Sequence, residues 1–316
     1  MVLNIGFIID PLATLQESMD TSLLMISEAN QRGHDVAFCT IDDLTVLNRQ
    51  ANARWTSIHY LSGKTPLLEC SGASFHASLA DFNVIVMRKD PPFDKTYLAT
   101  TYLLDYANTL VINNPRGLRD ANEKLFILRW PHLIPKTFIS KNINEILAFI
   151  RAEHGQWVIK PLDLCGGKNV FRIEDGGKAN LSILKKVTAH GTEYAVVQEF
   201  IANVVNGDKR IFLVDGEPVG WMNRLPPKND FRANIHLGAV PVACVLNDRD
   251  KEIISTLRPT LKEHGLPLVC LDIIDGYLTE LNVTSPSGIP EINKINNKRH
   301  EPFLVDYIEK GCGGGG

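Results

Sequence analysis

The stretch LDIIDGYLTELNVTSPSG, residues 271–288, sets Asp272, Glu280 and Asn282 into an otherwise apolar and β-branched segment. Such residues favour strands, and the Asp-Gly pair between them is typical of a hairpin turn. A three-residue loop with its glycine in the left-handed position would pair residue 272 with residue 280 and leave Asn282 on the same face. A two-residue turn would instead put Glu280 on the face opposite Asp272.

In the three-residue register, two carboxylates and an amide oxygen converge. Hard oxygen ligands suit Mg²⁺, which completes its shell with water and substrate phosphates. Without a cation, carboxylates held this close repel each other. The pattern therefore predicts a magnesium site at Asp272, Glu280 and Asn282, and a solvated sheet face is the alternative interpretation.

A second cluster lies in QWVIKPLDLCGGKNV, residues 156–170, where Lys160 ends a strand and Gly166-Gly167-Lys168 follow. Glycines let backbone amides approach phosphate oxygens, and a lysine adds positive charge. A Gly-Gly pair is more often an ordinary turn, so this signal is weak alone. The chain has no GxxxxGK[ST] motif, and the literal GxGxxG at residues 311–316 has no helix after it, which argues against both common nucleotide fingerprints.

The first third alternates in the α/β manner. Strand 2–9, an amphipathic helix over 17–31 and strand 35–39 form a βαβ unit, which predicts a parallel sheet. The buried strand 83–87 ends at Arg88 and Lys89, which are candidate anion-binding residues because open α/β sheets place ligands at strand carboxyl ends. A solvated pair of charges is the alternative interpretation. The pattern further predicts helices over 97–108 and 117–130 around a strand over 109–114, and residues 41–80 show little periodicity.

Beyond residue 131 the character changes. A helix over 143–155 and strands over 156–162, 170–174 and 194–201 indicate a small α+β unit. Two hairpin candidates, 210–222 and 268–283, each carry Asp-Gly between β-rich runs and predict an antiparallel sheet.

Composition narrows the class of protein. The 316 residues carry a net charge of -3 and 44% hydrophobic side chains, with no basic stripe for nucleic acid and no polybasic segment for a membrane surface. No run approaches the ~20 apolar residues of a membrane span, and the N-terminus lacks a signal-peptide pattern. The six cysteines are scattered without a CxxC pair, which argues against a zinc site or redox dithiol. We expect a cytoplasmic protein with neither a nucleic-acid nor a membrane partner.

Five segments together resemble the bacterial glutathione synthetase family of ATP-grasp ligases: VIVMRKDPPFD, RDANEKLF, VIKPLD, NGDKRIFLVDGEPV and LTELNVTSP. The similarity runs from the first strand to about residue 295. It implies an α/β protein of ATP-grasp fold with four parts: an N-terminal parallel-sheet α/β domain at 1–122, a small α+β lid at 123–200, a C-terminal antiparallel-sheet catalytic domain at 201–310 and a flexible Gly-rich tail at 311–316.

The resemblance also implies residue roles. The residues implied to contact ATP are Lys124, Lys160, Gly166, Gly167, the adenine hinge Gln198, Glu199, Phe200 and Ile201, and Asp208 near the ribose. Arg210 and Lys160 would act on the transferring phosphoryl group, and Asp272, Glu280 and Asn282 fall at the family's magnesium positions. The residues implied to lie near the peptide substrate are Arg88, Arg224, Ser285, Ser287 and Gly288, with a surface salt bridge as the alternative for each arginine.

The implied activity is ATP-dependent ligation of γ-glutamylcysteine and glycine through an acyl phosphate, in a homotetramer that uses one or two Mg²⁺ ions, for which Mn²⁺ can substitute. Such chemistry needs positioning and charge neutralisation rather than an enzyme nucleophile, so Cys165 is interpreted as a bystander. Two departures from the family pattern leave alternatives open. Leu164 stands where the family usually has glycine, and residues 235–239 replace a Gly/Ala-rich segment on the acceptor side. A ligase with another acceptor amine and a non-catalytic nucleotide-binding regulator remain the rival hypotheses.

Overall fold

The computed structural model describes residues 1–16, 18–61 and 68–313. The strands are β1 Asn4–Ile8, β2 Asp35–Cys39, β3 Leu44–Leu47, β4 Gln50–Tyr60, β5 Leu68–Ser78, β6 Val84–Met87, β7 Leu110–Ile112, β8 Thr137–Ser140, β9 Gln156–Pro161, β10 Phe171–Glu174, β11 Ala195–Glu199, β12 Asp208–Val214, β13 Glu217–Leu225, β14 Val240–Val242, β15 Leu268–Ile274 and β16 Tyr277–Asn282. The α-helices are α1 Thr21–Gln31, α2 Lys95–Leu104, α3 Pro115–Asp120, α4 Ile143–Glu153, α5 Asn180–Val187, α6 Asp248–Glu263, α7 Ile289–Asn296 and α8 Glu301–Gly313.

The N-terminal sheet is mixed rather than wholly parallel. Strands β2, β1, β6 and β7 are parallel, as predicted, but β4 adds antiparallel to β2, and both β3 and β5 pair antiparallel with β4. This extension occupies most of the weakly periodic stretch at 41–80. Most side chains of β5 are exposed, so the alternation that identifies a half-buried strand is missing from its sequence.

The lid is built on a second, all-antiparallel sheet of order β10-β9-β11-β8. Helices α4 and α5 cover it and enclose a separate hydrophobic core that includes Ile146, Trp157 and Leu184. The predicted α+β unit is confirmed, and its independent core identifies it as a unit of its own.

The third sheet has the order β14-β13-β12-β15-β16 and is antiparallel throughout. Both predicted hairpins form in it. Their Asp-Gly pairs have positive φ at both positions, 51° and 77° at Asp215 and Gly216 and 50° and 78° at Asp275 and Gly276. Two consecutive left-handed residues are typical of the type I′ turn, whose twist matches that of the flanking strands.

The helix boundaries differ from the sequence-based predictions at several places. Helix α2, predicted over 97–108, spans Lys95–Leu104, and α4, predicted over 143–155, ends at Glu153. The first helix begins at Thr21, capped by the Asp20 side chain, and the predicted start at residue 17 lies outside the described residues. The predicted helix over 117–130 stops at Asp120, because the Asn122 side chain accepts hydrogen bonds from the amides of Lys124 and Leu125 and so competes with helical pairing. At the C-terminus, α8 continues through residues 311–313 of the expected tail, and residues 314–316 lie outside the described residues.

Side-chain contacts join the N-terminal sheet to the third sheet. Asn113, after β7, donates to the carbonyls of Leu268 and Val283, both at 2.7 Å, and accepts from the amide of Leu268 at 2.9 Å. These bonds fix the end of the parallel sheet against the strands β15 and β16. The carboxyl end of β6 therefore faces the strands that carry the predicted metal ligands.

Candidate active site

The carboxylates of the opening stretch lie where β15 and β16 meet. Asp272 pairs with Glu280, and Cys270 pairs with Asn282, so the predicted register is present. Its cause is different from the predicted one: the turn is the two-residue type, and a β-bulge between Asp272 and Ile273 restores the pairing. The bulge leaves Thr279 as the extra residue, since Leu278 pairs with Ile273 and Glu280 with Asp272. The three-residue loop was therefore wrong, although the pairing it predicted is correct.

Asp272 is the centre of a compensated charge cluster. It is 4% exposed and accepts two hydrogen bonds from Arg210 on β12, at 2.9 and 2.8 Å. Arg224 on β13 lies 3.0 Å from Asp272 and 2.6 Å from Asp208. Two guanidiniums thus face two carboxylates, which is the condition for keeping charges in a buried site.

The cluster shifts the pKa values of its two carboxyl groups in opposite directions. Burial alone would raise the pKa of Asp272, but the Arg210 and Arg224 guanidiniums outweigh it and hold that pKa well below its usual range. Burial raises the pKa of Asp208 despite Arg224, and the neighbouring Asp272 charge adds to the rise. The Oδ1 atom of Asp208 is buried without a hydrogen-bond partner among the described residues. An acceptor left unpaired in this way is suited to a bound cation or hydrogen-bond donor.

Two lysines approach the cluster from the lid side. Lys160, at the end of β9, donates to the carbonyl of Thr279 at 3.0 Å. Thr279 is the extra residue of the bulge, so its carbonyl is available to Lys160, whereas in regular strand pairing it would accept a backbone hydrogen bond. Burial lowers the pKa of Lys160, and Glu280 opposes that shift. Lys124 lies 3.2 Å from Glu280 and donates to the carbonyls of Leu162 and Leu164. Both cations therefore lie beside the predicted metal ligands, as phosphate binding requires.

The loop between β9 and β10 has its left-handed positions at Gly166, Gly167 and Asn169, with φ of 68°, 72° and 56°. Leu164 is not among the left-handed residues, so this chain does not need the family's usual glycine there. The side chain of Cys165 lies within the loop, and burial raises the pKa of its thiol. A protonated thiol is a poor nucleophile, which agrees with the bystander interpretation.

The predicted nucleotide residues line one cavity. It contains both lysines, the glycines of the loop, the hinge residues and part of the charge cluster: Lys124, Lys160, Gly166, Gly167, Gln198, Glu199, Phe200, Ile201, Asp208, Asp272 and Glu280. In the hinge, Gln198 is buried and donates to Thr137, whereas Phe200 packs edge-on against Phe231. The mixture of apolar walls at the hinge and cations at the loop fits a nucleotide, with its base and its phosphates at opposite ends.

A second cavity adjoins the first on the side of the N-terminal sheet. Its lining includes the predicted catalytic residue Arg210, most of the predicted substrate residues and two predicted metal ligands. The substrate residues are Arg224, Ser285, Ser287 and Gly288, and the metal ligands are Glu280 and Asn282. Four residues line both cavities, namely Cys165, Gly166, Asn234 and Glu280. A group transferred from one cavity to the other would pass this common wall.

Arg88 is the predicted substrate residue that lines neither cavity. It is 3% exposed, donates to Ser22 at 3.0 Å and to the carbonyl of Pro286 at 2.8 Å, and its NH1 atom has no partner among the described residues. The structure thus puts Arg88 behind the turn at 285–288, which it supports. Contact between Arg88 and a substrate stays a prediction.

The oxygen atoms of Asp272, Glu280 and Asn282 fit a divalent cation, but these side chains would supply only part of its coordination shell. Among residues 1–16, 18–61 and 68–313, no three His, Cys, Asp or Glu side chains are arranged to hold a metal by themselves. Asp272 is already paired with arginines, and Asn282 donates to it at 3.2 Å. Glu280, 23% exposed, lies on the common wall, whereas the Asp272 side chain is 5% exposed. A cation here would take further ligands from phosphate and water, as Mg²⁺ commonly does.

The residues of the second cavity that sequence reasoning missed include Asp90, Glu123 and Glu291. Glu123 adjoins Lys124 in the RDANEKLF segment, which was a usable signal. It accepts hydrogen bonds from Val283 and Thr284, and burial and the Glu280 charge raise its pKa. His236 was visible only as a departure from the expected Gly/Ala-rich segment.

Two family models match the chain. The prokaryotic glutathione synthetase N-terminal domain matches residues 3–119, and the prokaryotic glutathione synthetase ATP-grasp domain matches residues 123–297. Curated relatives named glutathione synthetase include one from Gloeobacter violaceus, 38% identical over 314 residues that cover 97% of this chain and 96% of the relative. Another, from Escherichia coli, is 38% identical over 312 residues that cover 98% of both chains.

Solved structures resemble this chain in fold. A D-cycloserine synthetase gives a TM-score of 0.67 at 15% identity, covering 96% of this chain and 99% of that one. D-alanyl-alanine synthetase A from Vibrio cholerae gives 0.61 at 16% identity, covering 98% of both. Together with the domain matches, these likenesses show an ATP-grasp fold. Within the part of the chain that the structure describes, no helix is long and apolar enough to cross a membrane.

Proposed function

The chain belongs to the prokaryotic glutathione synthetase family, and we propose that it joins γ-glutamylcysteine to glycine with conversion of ATP to ADP and phosphate. The observation that carries this proposal is the pair of cavities with a common wall at Cys165, Gly166, Asn234 and Glu280. One cavity suits a nucleotide and the other suits a charged peptide. An ATP-dependent carboxylate–amine ligase needs both, and a phosphoryl group must cross between them.

The reaction proceeds in two steps. The cysteinyl carboxylate attacks the γ-phosphorus of ATP, which gives an acyl phosphate and ADP. The amine of glycine then attacks the acyl carbon, and phosphate leaves. Neither step needs an enzyme nucleophile, so rate acceleration comes from holding the reactants in line and compensating charge.

We assign Lys124, Lys160 and the backbone of Gly166 and Gly167 to the ATP phosphates. The hinge at 198–201 takes the adenine. Asp208, expected near the ribose, lines the first cavity and also belongs to the charge cluster, where its unpaired oxygen is available to a donor or cation. Arg210 faces the second cavity beside Ser287 and compensates charge on the transferred phosphoryl group.

The peptide lies in the second cavity in this proposal. Arg224 and the turn residues Ser285, Ser287 and Gly288 hold its carboxylates through hydrogen bonds and charge. Arg88 supports that turn from behind. The buried positions of Arg88 and Arg224 argue against the alternative that either forms a surface salt bridge.

Glu280, Asn282 and Asp272 are the residues that would hold a divalent cation, and we assign it as one or two Mg²⁺ ions, replaceable by Mn²⁺. A bound cation would neutralise charge on the phosphate oxygens. We further propose a cytoplasmic homotetramer that acts on small molecules and has neither a nucleic-acid nor a membrane partner.

The test is ADP release by the purified protein with ATP and γ-glutamylcysteine, with and without glycine. Glycine-dependent ADP release, with glutathione identified by mass spectrometry, supports the proposal. Amine-dependent release with a different acceptor supports the related ligase, which one observation favours: Ile235 and His236, where the family has small residues, line the second cavity. ATP binding without ADP formation under any amine supports the non-catalytic regulator.

A further inference from the structure

His236 packs directly on the loop between β9 and β10 that carries Gly166 and Gly167, here called the phosphate loop because those glycines are assigned to the ATP phosphates. Its Nε2 atom is 2.6 Å from the carbonyl oxygen of Gly166, and a Cβ atom added to Gly166 would lie 2.7 and 2.8 Å from two ring atoms. The neighbouring contacts are similar: Arg232 donates to the carbonyl of Gly167 at 3.0 Å, and a Cβ on Gly167 would lie 2.5 Å from Asn234. Because they have no side chain, the two glycines allow residues 232–236 to pack closely against the loop, and they also keep the loop compact.

The hydrogen bond fixes the tautomer of the ring. A carbonyl oxygen only accepts, so Nε2 must carry the hydrogen that it donates to Gly166. In the neutral ring the lone pair is then on Nδ1, for which the described residues supply no hydrogen-bond partner. His236 thus offers a proton acceptor that the fold itself does not use.

The position of the ring matches the place where that acceptor would be needed. His236 lines the second cavity, and its partner Gly166 lines both cavities. The acyl phosphate must form at the common wall, because the phosphoryl group comes from the first cavity and the carboxylate from the second. An amine that attacks the acyl carbon therefore approaches beside His236.

The chemistry of the second step requires removal of a proton. An aliphatic amino group is an ammonium ion at neutral pH and has no lone pair for attack until it is deprotonated. The titratable and charged groups on the same cavity wall are Asp90, Glu123, Cys165, Arg210, Arg224, Glu280 and Glu291, and Lys168, Asp230 and Arg232 flank His236 on its own segment and the phosphate loop. Arginines and lysine supply only donors, and Asp230 is paired with Arg232.

The remaining acids of that wall are less suited. Glu280 is paired with Lys124, and Glu123 accepts three hydrogen bonds on one oxygen. The thiol of Cys165 is held protonated by burial. Asp90 and Glu291 belong to the β6 and α7 side of the cavity and make no hydrogen bond or ion pair to the phosphate loop. His236 is the group that combines a free lone pair with contact to the loop.

We propose that His236 is the catalytic base of the amide-forming step, an inference that rests on the proposed ligase function. Nδ1 takes one proton from the acceptor ammonium, and the free amine then forms the C–N bond as the bond from acyl carbon to phosphate oxygen breaks. Of the three ammonium protons, one goes to His236, one leaves on phosphate as HPO₄²⁻ and one stays on the amide nitrogen. The imidazolium then returns its proton to solvent through the open cavity.

The test compares two acceptors in His236→Gln and the parent enzyme. Glycine must lose a proton before attack, whereas hydroxylamine is largely unprotonated at neutral pH. We expect kcat/KM for glycine at neutral pH to fall by about 10²-fold or more, with hydroxylamine turnover within about threefold of the parent. The deficit with glycine should shrink as pH rises, because the free amine becomes more abundant. His76→Gln on the exposed face of β5 is the matched control and should change neither acceptor.

ATP affinity and the free energy of unfolding are measured alongside, because His236 also contacts the loop. Equal losses with glycine and hydroxylamine would overturn the inference and leave His236 as a positioning residue only. Unchanged glycine turnover in His236→Gln would overturn it as well. If the parent enzyme itself released no ADP in response to glycine, the proposed function would be overturned. The two failures are distinguishable, because this result is obtained with the parent enzyme alone.

Discussion

Replacing Asp272 by asparagine removes one negative charge from a buried cluster while keeping the size of the side chain. Arg210 and Arg224 then face only Asp208, and the cluster changes from neutral to a net positive charge. Removing one partner of a buried ion pair typically destabilises a protein by about 3–5 kcal/mol. Asp208 offsets part of this loss, because its raised pKa falls once the neighbouring Asp272 charge is gone. We therefore expect the lower end, about 3 kcal/mol.

Glu280→Gln is the informative comparison. Glu280 is 23% exposed and has one ion pair, with Lys124. The Lys124 side chain of this pair is 4% exposed, but it keeps the carbonyls of Leu162 and Leu164 as acceptors, and Glu280 itself reaches solvent. This variant should therefore lose less unfolding free energy than Asp272→Asn. Both variants remove an oxygen charge from the proposed cation site, and both should lower turnover by about 10²-fold or more. Loss of activity is thus shared, whereas the larger loss of stability belongs to Asp272→Asn.

The assay is urea unfolding with a common slope, together with ADP release in the presence of γ-glutamylcysteine and glycine. Asp120→Asn is a suitable control, since Asp120 is 48% exposed and 3.9 Å from its nearest cation, Arg116. If Asp272→Asn unfolds within about 1 kcal/mol of the parent, the reasoning about the buried cluster is wrong. If Glu280→Gln turns over normally, the assignment of the cation site is wrong.

Three further outcomes follow from single contacts. Lys160→Met should weaken ATP binding by about tenfold or more in calorimetry, the loss of a charged hydrogen bond, and unchanged affinity would mean that Lys160 only supports the bulge. Gly166→Ala should lower turnover much more than Gly176→Ala. Both glycines have φ near 70°, but an added Cβ atom meets the His236 ring at position 166 and nothing within 4 Å at position 176. Equal losses of turnover in the two variants would contradict the packing of His236 on the loop. Burial raises the pKa of Glu123, so between a pH of about 4.3 and the raised value the folded parent keeps a proton that the unfolded chain has released, and its stability falls as pH rises through that interval. Glu123→Gln should abolish this fall in urea unfolding. Parallel pH curves for the variant and the parent would refute the prediction.

Local pattern predicted much of this site because it depends on neighbours in sequence. Apolar and β-branched residues located β15 and β16, and Asp-Gly located both hairpin turns. The same reasoning failed at 117–130, where one asparagine side chain ended a helix that the apolar pattern favoured. It also failed at 41–80, where β5 is mostly exposed and its sequence carries little hydrophobic alternation.

The sequence by itself determined the three groups of strands, the pairing of the Asp272 and Glu280 carboxylates, and Lys160 with the glycines of the loop after β9. Only the tertiary structure decided how these groups meet. The bulge that pairs Asp272 with Glu280, the arginines that neutralise Asp272 and the contact of His236 with Gly166 join strands and loops up to 70 positions apart. Such contacts are selected by packing and charge compensation across the whole fold, and no local propensity encodes them.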